Sequence, residues 1–96
     1  MTETGGDMRM LVEQIVQAFV DAPDQVKVTP VEDGGDTILE LRVAQSDMGK
    51  VIGRQGRTVK SIRNILGAAS MKLQTRYILE IVEDEDDEDG EEEPAE

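Results

Sequence analysis

Two glycines three positions apart, Gly53 and Gly56, interrupt an otherwise helical pattern in the second half of the chain. Apolar residues over 48–52 predict a short helix before them, and a longer amphipathic run, residues 57–71, predicts a second helix after them. Two helices that meet at such a turn bring bare backbone close to a ligand, because glycine has no Cβ to block the approach. The second helix also begins there with unpaired N–H groups and the positive end of its dipole. The turn therefore suits a phosphate group, although glycines also occur in interhelical turns that bind nothing.

The other helical segments are indicated by capping residues and apolar spacing. Asp7 is a candidate N-cap for a first helix, in which apolar residues recur at helical spacing as far as Phe19, expected in the core. This helix should stop before Pro23, since the residue preceding a proline avoids the helical conformation. Ser46 is the candidate N-cap of the short helix before the glycine turn. Gly49 inside that helix costs about 1 kcal/mol relative to alanine, which predicts close packing of the helix on a neighbour.

Alternating apolar residues predict three strands. The first covers 25–31, with Pro30 near a sheet edge because proline lacks the ladder donor. A hairpin turn at 32–36 leads to the second strand, 37–43, and the third covers 74–82. The residues expected to face the helices are Leu39, Leu41, Val43, Tyr77, Leu79 and Ile81. The order is helix-strand-strand-helix-helix-strand, which predicts an α+β domain with a three-stranded sheet and helices packed on one face.

Length and composition restrict the class of protein. The 96 residues allow one small domain: residues 1–6 are expected to form a disordered leader, 7–82 the folded domain and 83–96 an acidic disordered tail. The chain has no Cys and no His, which removes thiol chemistry, the usual general base and the commonest metal ligand. We therefore predict that it is not an enzyme and has no cofactor, no metal site and no small-molecule substrate. With no Cys, no visible signal peptide and no apolar run near the roughly 20 residues that span a bilayer, a cytoplasmic location with no membrane partner is expected.

The net charge of −12 conceals a strong segregation of charge. Residues 83–96 hold 11 of the 22 acidic residues and no cation, so residues 1–82 are nearly neutral, with 11 acids against 10 bases. Within them, residues 50–76 contain seven cations and no acid. A polyanion that approaches the glycine turn meets this basic segment and not the whole-chain charge.

The stretch MGKVIGRQGR (48–57), set in the predicted element order, resembles a K-homology (KH) domain of the prokaryotic, type II arrangement. With the opening LVEQIV (11–16), the likeness is to the bacterial single-KH family known as KhpA, and it covers residues 8–82. It implies single-stranded RNA binding, in which the RNA backbone is clamped against the GxxG turn Gly53–Gly56 and about four nucleotides are held. It also implies post-transcriptional regulation, with a homodimer or a heterodimer with a second, KhpB-like KH protein.

The candidate site combines the turn, the nearby cations and a groove for bases that the resemblance implies between the helices. The candidate RNA-binding residues are Lys50, Val51, Ile52, Gly53, Arg54, Gln55, Gly56, Arg57, Val59, Lys60, Ile62 and Arg63. Arg54, Arg57 and Lys60 can converge on one anion, whereas Arg63 is more typical of a solvated surface cation. Gln55 could bond phosphate or base, or face water. The four aliphatic residues of the set could equally be plain core, which is the default at helical spacing.

A protein-interaction adaptor is the alternative function. Ile38, Ile78 and Val82 are expected on the sheet face away from the helices, where they could form a patch for self-association or a partner. The acidic tail, longer than a bare KH domain needs, would contribute to partner binding in that case.

The tail itself admits three interpretations. Residues 85–96 overlay an EF-hand loop pattern, but by composition alone, since flanking helices are missing and Pro94 lies inside the loop. A solvated tail that aids solubility is the plainest interpretation. The sharper hypothesis is that the tail competes electrostatically with RNA for the basic segment, most strongly at low salt.

Overall fold

The computed structural model describes residues 4–83, with side-chain environments from Met8 onward. Within this part the helices are α1 (Thr4–Gln17), α2 (Met48–Ile52) and α3 (Arg57–Leu73), and the strands are β1 (Lys27–Asp33), β2 (Asp36–Arg42) and β3 (Tyr77–Ile81). Short 3-10 turns lie at Pro23–Gln25, Gln45–Asp47 and Arg54–Gly56. The predicted α+β class and element order are confirmed.

The first helix begins earlier than predicted. It starts at Thr4, so Asp7 lies inside the helix instead of capping it, and part of the predicted leader is helical. The glycine pair that follows Thr4 costs only about 1 kcal/mol per residue in a helix, so it does not by itself prevent one. Residues 1–3 and the tail from 84 to 96, with its EF-hand-like pattern, lie outside the described residues. The domain boundaries 7–82 therefore stay a prediction.

The sheet has the order β1-β2-β3, with β2 in the centre. Strands β1 and β2 pair antiparallel through the turn Gly34-Gly35, whose φ values of +60° and +96° are those that a tight hairpin demands and glycine adopts without strain. Pro30 lies in the edge strand β1, opposite Leu39, as predicted. Strands β2 and β3 pair parallel, with Leu39 opposite Leu79. Parallel strands need a crossover connection, and α2, the glycine turn and α3 together form it.

The core lies between the helices and one face of the sheet. The buried apolar residues are Val12, Val16, Val26, Val28, Leu39, Leu41, Val43, Val51, Val59, Ile62, Leu66, Tyr77 and Leu79. The predicted inward face of β2 is confirmed, and Phe19 packs against this core while partly exposed. Helices thus cover one face of the sheet, as the sequence pattern predicts.

The opposite face of the sheet carries an aliphatic row that crosses all three strands. Val31 lies opposite Ile38, and Ile38 lies opposite Ile78. Directly opposed side chains on one face are neighbours, so these three form one patch. Val31 is a member that was not predicted from the sequence. Val82 follows the end of β3, and its N–H still donates to the carbonyl of Leu41 (2.9 Å), so its place in the patch stays a prediction.

Helix α3 runs antiparallel to β3. Late in the helix, the Ser70 hydroxyl accepts a hydrogen bond from the N–H of Tyr77 (2.9 Å). Earlier in the helix, the Arg63 guanidinium donates to the carbonyl of Leu79 (3.2 Å). Earlier helix residues therefore lie beside later strand residues. The glycine turn that precedes α3 is thus at the same end of the domain as the end of β3, from which the chain continues into Glu83.

Candidate nucleic-acid interface

The glycine turn is a tight backbone loop between α2 and α3. Gly53 ends α2 with φ +78° and ψ 170°, and its N–H donates to the carbonyl of Gly49 (2.8 Å). Gly56 has φ +73°, and its N–H donates to the carbonyl of Gly53 (3.0 Å). Gln55 between them has φ +57°, in the small left-handed region that residues with side chains seldom occupy. Three positive φ values in four residues explain why the turn needs its glycines.

The two glycines serve different purposes. A Cβ on Gly53 would lie 2.7 Å from the Cβ of Thr58 and 2.8 Å from its backbone nitrogen, closer than real Cβ contacts allow, and it would also overlap the Thr58 hydroxyl. A Cβ on Gly56 would meet nothing within 4 Å. Gly53 is therefore required by the packing of the turn on α3, whereas the space in front of Gly56 is open to a ligand.

Three cations and one amide surround this open corner. Arg54, Gln55, Arg57 and Lys60 are exposed, and none of their side chains makes a hydrogen bond or ion pair with another described residue. The first turn of α3 has no acidic residue and no side-chain cap. The helix dipole and three cations whose side chains have no partner among the described residues thus favour an anion at the same place.

Two other predicted cations, Lys50 and Arg63, already interact with other residues of the chain. The Lys50 ammonium lies 3.2 Å from a carboxylate oxygen of Asp21, in an exposed ion pair. The Arg63 guanidinium donates to the Leu79 carbonyl on the open edge of β3. The structure therefore brings Arg54, Arg57 and Lys60 to the turn with free side chains, and holds Lys50 and Arg63 in other interactions.

The predicted aliphatic groove floor needs correction. Val51 is 0% exposed, and Val59 and Ile62 are also buried, because all three belong to the hydrophobic core of the domain. Ile52 is 42% exposed and is the member of the set that a base can contact. The default interpretation, plain core, holds for Val51, Val59 and Ile62.

Sequence reasoning missed the role of Asp47, the residue before α2. Asp47 is 0% exposed, and its two carboxylate oxygens accept hydrogen bonds from the N–H groups of Asp21 (3.0 Å) and Ala22 (2.9 Å). The pKa of Asp47 is held below 3.8 mainly by the bond from Asp21, with help from Ala22 and the Lys50 charge, against the opposing effect of burial. The residues that supply the two N–H groups were expected only to end the first helix, so their pairing with Asp47 had no local sequence signal.

Two smaller expectations for α2 were wrong. Ser46 is exposed and makes no capping hydrogen bond, because the chain forms a 3-10 turn there and α2 begins only at Met48. A Cβ on Gly49 would meet nothing within 4 Å, so close packing does not explain this glycine.

The described residues 8–83 contain no group of three or more carboxylate, imidazole or thiolate side chains that could hold a metal ion. No helix among them is long and apolar enough to cross a membrane.

Comparison with known proteins gives one consistent family. The sequence model of the KhpA/KhpB KH domain matches residues 9–81. The chain is 48% identical to the RNA-binding protein KhpA of Borreliella burgdorferi over 83 residues, which are 86% of this chain and all of the relative. It is 48% identical over 75 residues to the protein of the same name from Clostridium acetobutylicum (78% of this chain, all of the relative), and 41% identical over 76 residues to that from Aquifex aeolicus (79% and 96%). These matches, together with the type II arrangement of helices and strands, place the chain in the KhpA/KhpB family of KH domains, which is not a family of enzymes.

Proposed function

We propose that this protein binds single-stranded RNA at the glycine turn. The observation that carries the proposal is the open corner at Gly56, where the side chains of Arg54, Arg57 and Lys60 have no partner among the described residues. Relatives named RNA-binding protein KhpA support it. The RNA backbone would lie along the turn, with phosphates contacted by backbone N–H groups and by these cations.

The chemistry of the corner predicts loose sequence selectivity. Phosphate contacts position an RNA strand but carry no sequence information. Ile52 offers apolar contact to a base, and Gln55 offers an amide that can bond phosphate or a base edge. With about three phosphate contacts, the logarithm of affinity should fall with the logarithm of salt concentration with a slope near −2.

A second KH unit completes the proposal. One KH unit contacts only about four nucleotides. When two KH units are linked, binding of the first raises the effective concentration of the second near the same RNA strand. We propose that the second unit comes from a homodimer or from a KhpB-like partner, that the protein acts in post-transcriptional regulation in the cytoplasm, and that residues 7–82 are the functional domain, with 83–96 as a tail.

A paired substitution, Arg54→Asp with Gln55→Asp, tests RNA binding. Both side chains are exposed, and aspartate tolerates the left-handed conformation of Gln55 (φ +57°), so the fold should be unchanged. Gly53→Asp is unsuitable, because any Cβ there collides with Thr58. We expect the affinity for a short mixed-sequence oligoribonucleotide to fall more than about 10-fold in fluorescence anisotropy at about 0.1 M salt, since attraction to the phosphates becomes repulsion.

The chain offers a matched control, Gln74→Asp with Arg76→Asp. It makes the same two residue changes, and Gln74 also has a left-handed φ of +58°, but it lies at the other end of α3. At about 0.1 M salt the control should retain binding within about threefold, because the Debye length of about 10 Å is much shorter than the 17-residue helix α3 that separates it from the turn. Equal affinities for the two variants, or no binding by the unmodified chain, would refute the proposed site.

A protein-interaction adaptor is the second candidate function. The observation in its favour is the aliphatic row of Val31, Ile38 and Ile78 on the uncovered face of the sheet. An adaptor would keep its partner when Arg54 and Gln55 are replaced and lose it when Ile38→Glu interrupts the row. RNA titration and partner pull-down, both carried out with the Arg54/Gln55 variant and with Ile38→Glu, distinguish the two functions.

A further inference from the structure

Helix α2 carries the glycine turn but is too short to hold itself in place. It has five residues, Met48–Ile52, and isolated helices of this length are not stable in water. The N–H of Gly53 bonds to the carbonyl of Gly49, so the turn is built directly on the end of α2. Whatever fixes the start of α2 therefore also fixes the direction in which the turn faces.

The start of α2 is held by the buried carboxylate of Asp47. Its two oxygens bond to the N–H groups of Asp21 and Ala22, 26 and 25 positions earlier in the chain, in the connection between α1 and β1. Both oxygens have a donor at 2.9–3.0 Å, so this buried charge has the hydrogen bonds that it needs to be tolerated. Charge-assisted bonds are short and directional, which suits them to fixing one segment against another.

A second link joins the same two segments on the outside. The Lys50 ammonium pairs with the side chain of Asp21 at 3.2 Å, and both groups are substantially exposed. Exposed ion pairs of this kind contribute little to the stability of a protein. Of the two links, the buried bonds of Asp47 are the ones able to hold α2 in one orientation.

We propose that Asp47 is a positioning residue for the RNA-binding turn. By fixing the start of α2 against the connection after α1, it sets the backbone of Gly53–Gly56 and the side chain of Arg54 in their binding orientation before RNA arrives. Preorganisation of this kind raises affinity, because the ordering cost is met on folding and not on binding. The effect on affinity rests on the proposed RNA-binding function, whereas the effect on the orientation of the turn does not.

The substitution Asp47→Asn tests this role. Asparagine has nearly the same shape but keeps one acceptor oxygen in place of two and presents an NH₂ group to one of the N–H donors. In the full chain we expect amide NMR shifts to change at Asp21 and Ala22 and also at Gly53 and Gly56. The affinity for a short oligoribonucleotide should fall about 3- to 10-fold, because the turn must now be ordered on binding.

A core variant separates positioning from general stability. Val12→Ala opens a cavity beside α1 and lowers stability, and α1 packs mainly on β1 and β2 rather than on α2. It should leave the amide shifts of the turn and the RNA affinity unchanged. If Asp47→Asn behaves like Val12→Ala in both measurements, Asp47 has only a structural role and the proposal is wrong.

Hydrogen exchange in the unmodified chain provides a measurement that needs no variant to fold. The proposal requires the amides of Asp21 and Ala22 to be protected to a degree similar to those of Gly53 and Gly56. Unprotected exchange at Asp21 and Ala22 would overturn it. If the unmodified chain binds no oligoribonucleotide, the proposed function fails, while the amide shifts of the Asp47 variant still decide the positioning role.

Discussion

Alanine at Gly53 and alanine at Gly56 should have very different effects on stability. Both glycines have positive φ, but their surroundings differ. A Cβ on Gly53 lies 2.7 Å from the Cβ of Thr58 and 2.8 Å from its nitrogen, and the combination of φ +78° with ψ 170° belongs to a region that only glycine populates well. Gly56, with φ +73° and ψ 15°, is in the ordinary left-handed region and faces open space.

The expected magnitudes follow from these geometries. Left-handed alanine costs about 1–2 kcal/mol, of which about 0.4–1 kcal/mol is recovered from the less flexible unfolded chain, so Gly56→Ala should lose about 0.5–1 kcal/mol. Gly53→Ala combines about 1–3 kcal/mol of backbone strain with about 1–3 kcal/mol for the collision at Thr58. The gain from the less flexible unfolded chain applies to both variants, so the free energy of unfolding should be about 1–4 kcal/mol lower for Gly53→Ala than for Gly56→Ala. At about 4–8 °C per kcal/mol for a domain of this size, the Tm values should differ by at least about 4 °C.

Urea and thermal unfolding followed by circular dichroism measure this difference. Thr58→Ala should fail to rescue Gly53→Ala, because it removes the hydroxyl but leaves the Cβ and the backbone nitrogen that the new methyl group meets. RNA affinity should fall for Gly56→Ala even though the fold survives, because its methyl group enters the space proposed for the RNA backbone. Equal stability losses for the two variants, or full rescue by Thr58→Ala, would show that the packing described for the turn is wrong.

Three further predictions concern charge. Asp21→Asn should raise RNA affinity by up to about fivefold in anisotropy titrations, because it releases Lys50 from an exposed pair worth about 0–1 kcal/mol. Asp24→Asn removes an equal exposed charge that is in no ion pair, so it should not raise the affinity. Equal gains for both variants would contradict the release of Lys50. Replacing the acidic residues of 84–96 by their amides should tighten RNA binding at low salt, since β3 ends at the same end of the domain as the turn. The replacement should have no effect at high salt, because screening weakens the competition between the tail and RNA. Unchanged affinity at low salt would reject this competition. The lowered pKa of Asp47 stabilises the fold above pH 3.8, and this stabilisation should be lost as pH falls through the pKa of the folded state. In acid, the free energy of unfolding should therefore fall less steeply with pH for Asp47→Asn than for the unmodified chain. The same pH dependence in both chains would show that Asp47 does not contribute.

Much of the fold could be predicted from local patterns. Alternation in β2 predicts its buried side correctly, since a strand with one covered face must place Leu39 and Leu41 inward. The hairpin at Gly34-Gly35 and the glycine turn are likewise local, because positive φ values strongly favour glycine wherever the rest of the chain lies. The start of α1 at Thr4 was missed, since helix ends depend on small propensity differences that tertiary contacts easily outweigh.

The candidate site divides in the same way. By itself the sequence determined the turn, the acid-free basic segment around it and the order of elements, because backbone conformation, charge and periodicity are properties of neighbouring residues. Only the tertiary structure decided which side chains are available there: Val51 is buried in the core, Lys50 pairs with Asp21, and the carboxylate of Asp47 bonds to backbone 25 positions away. Contacts between such distant segments depend on how the crossover packs on the sheet, and no local pattern of residues encodes that geometry.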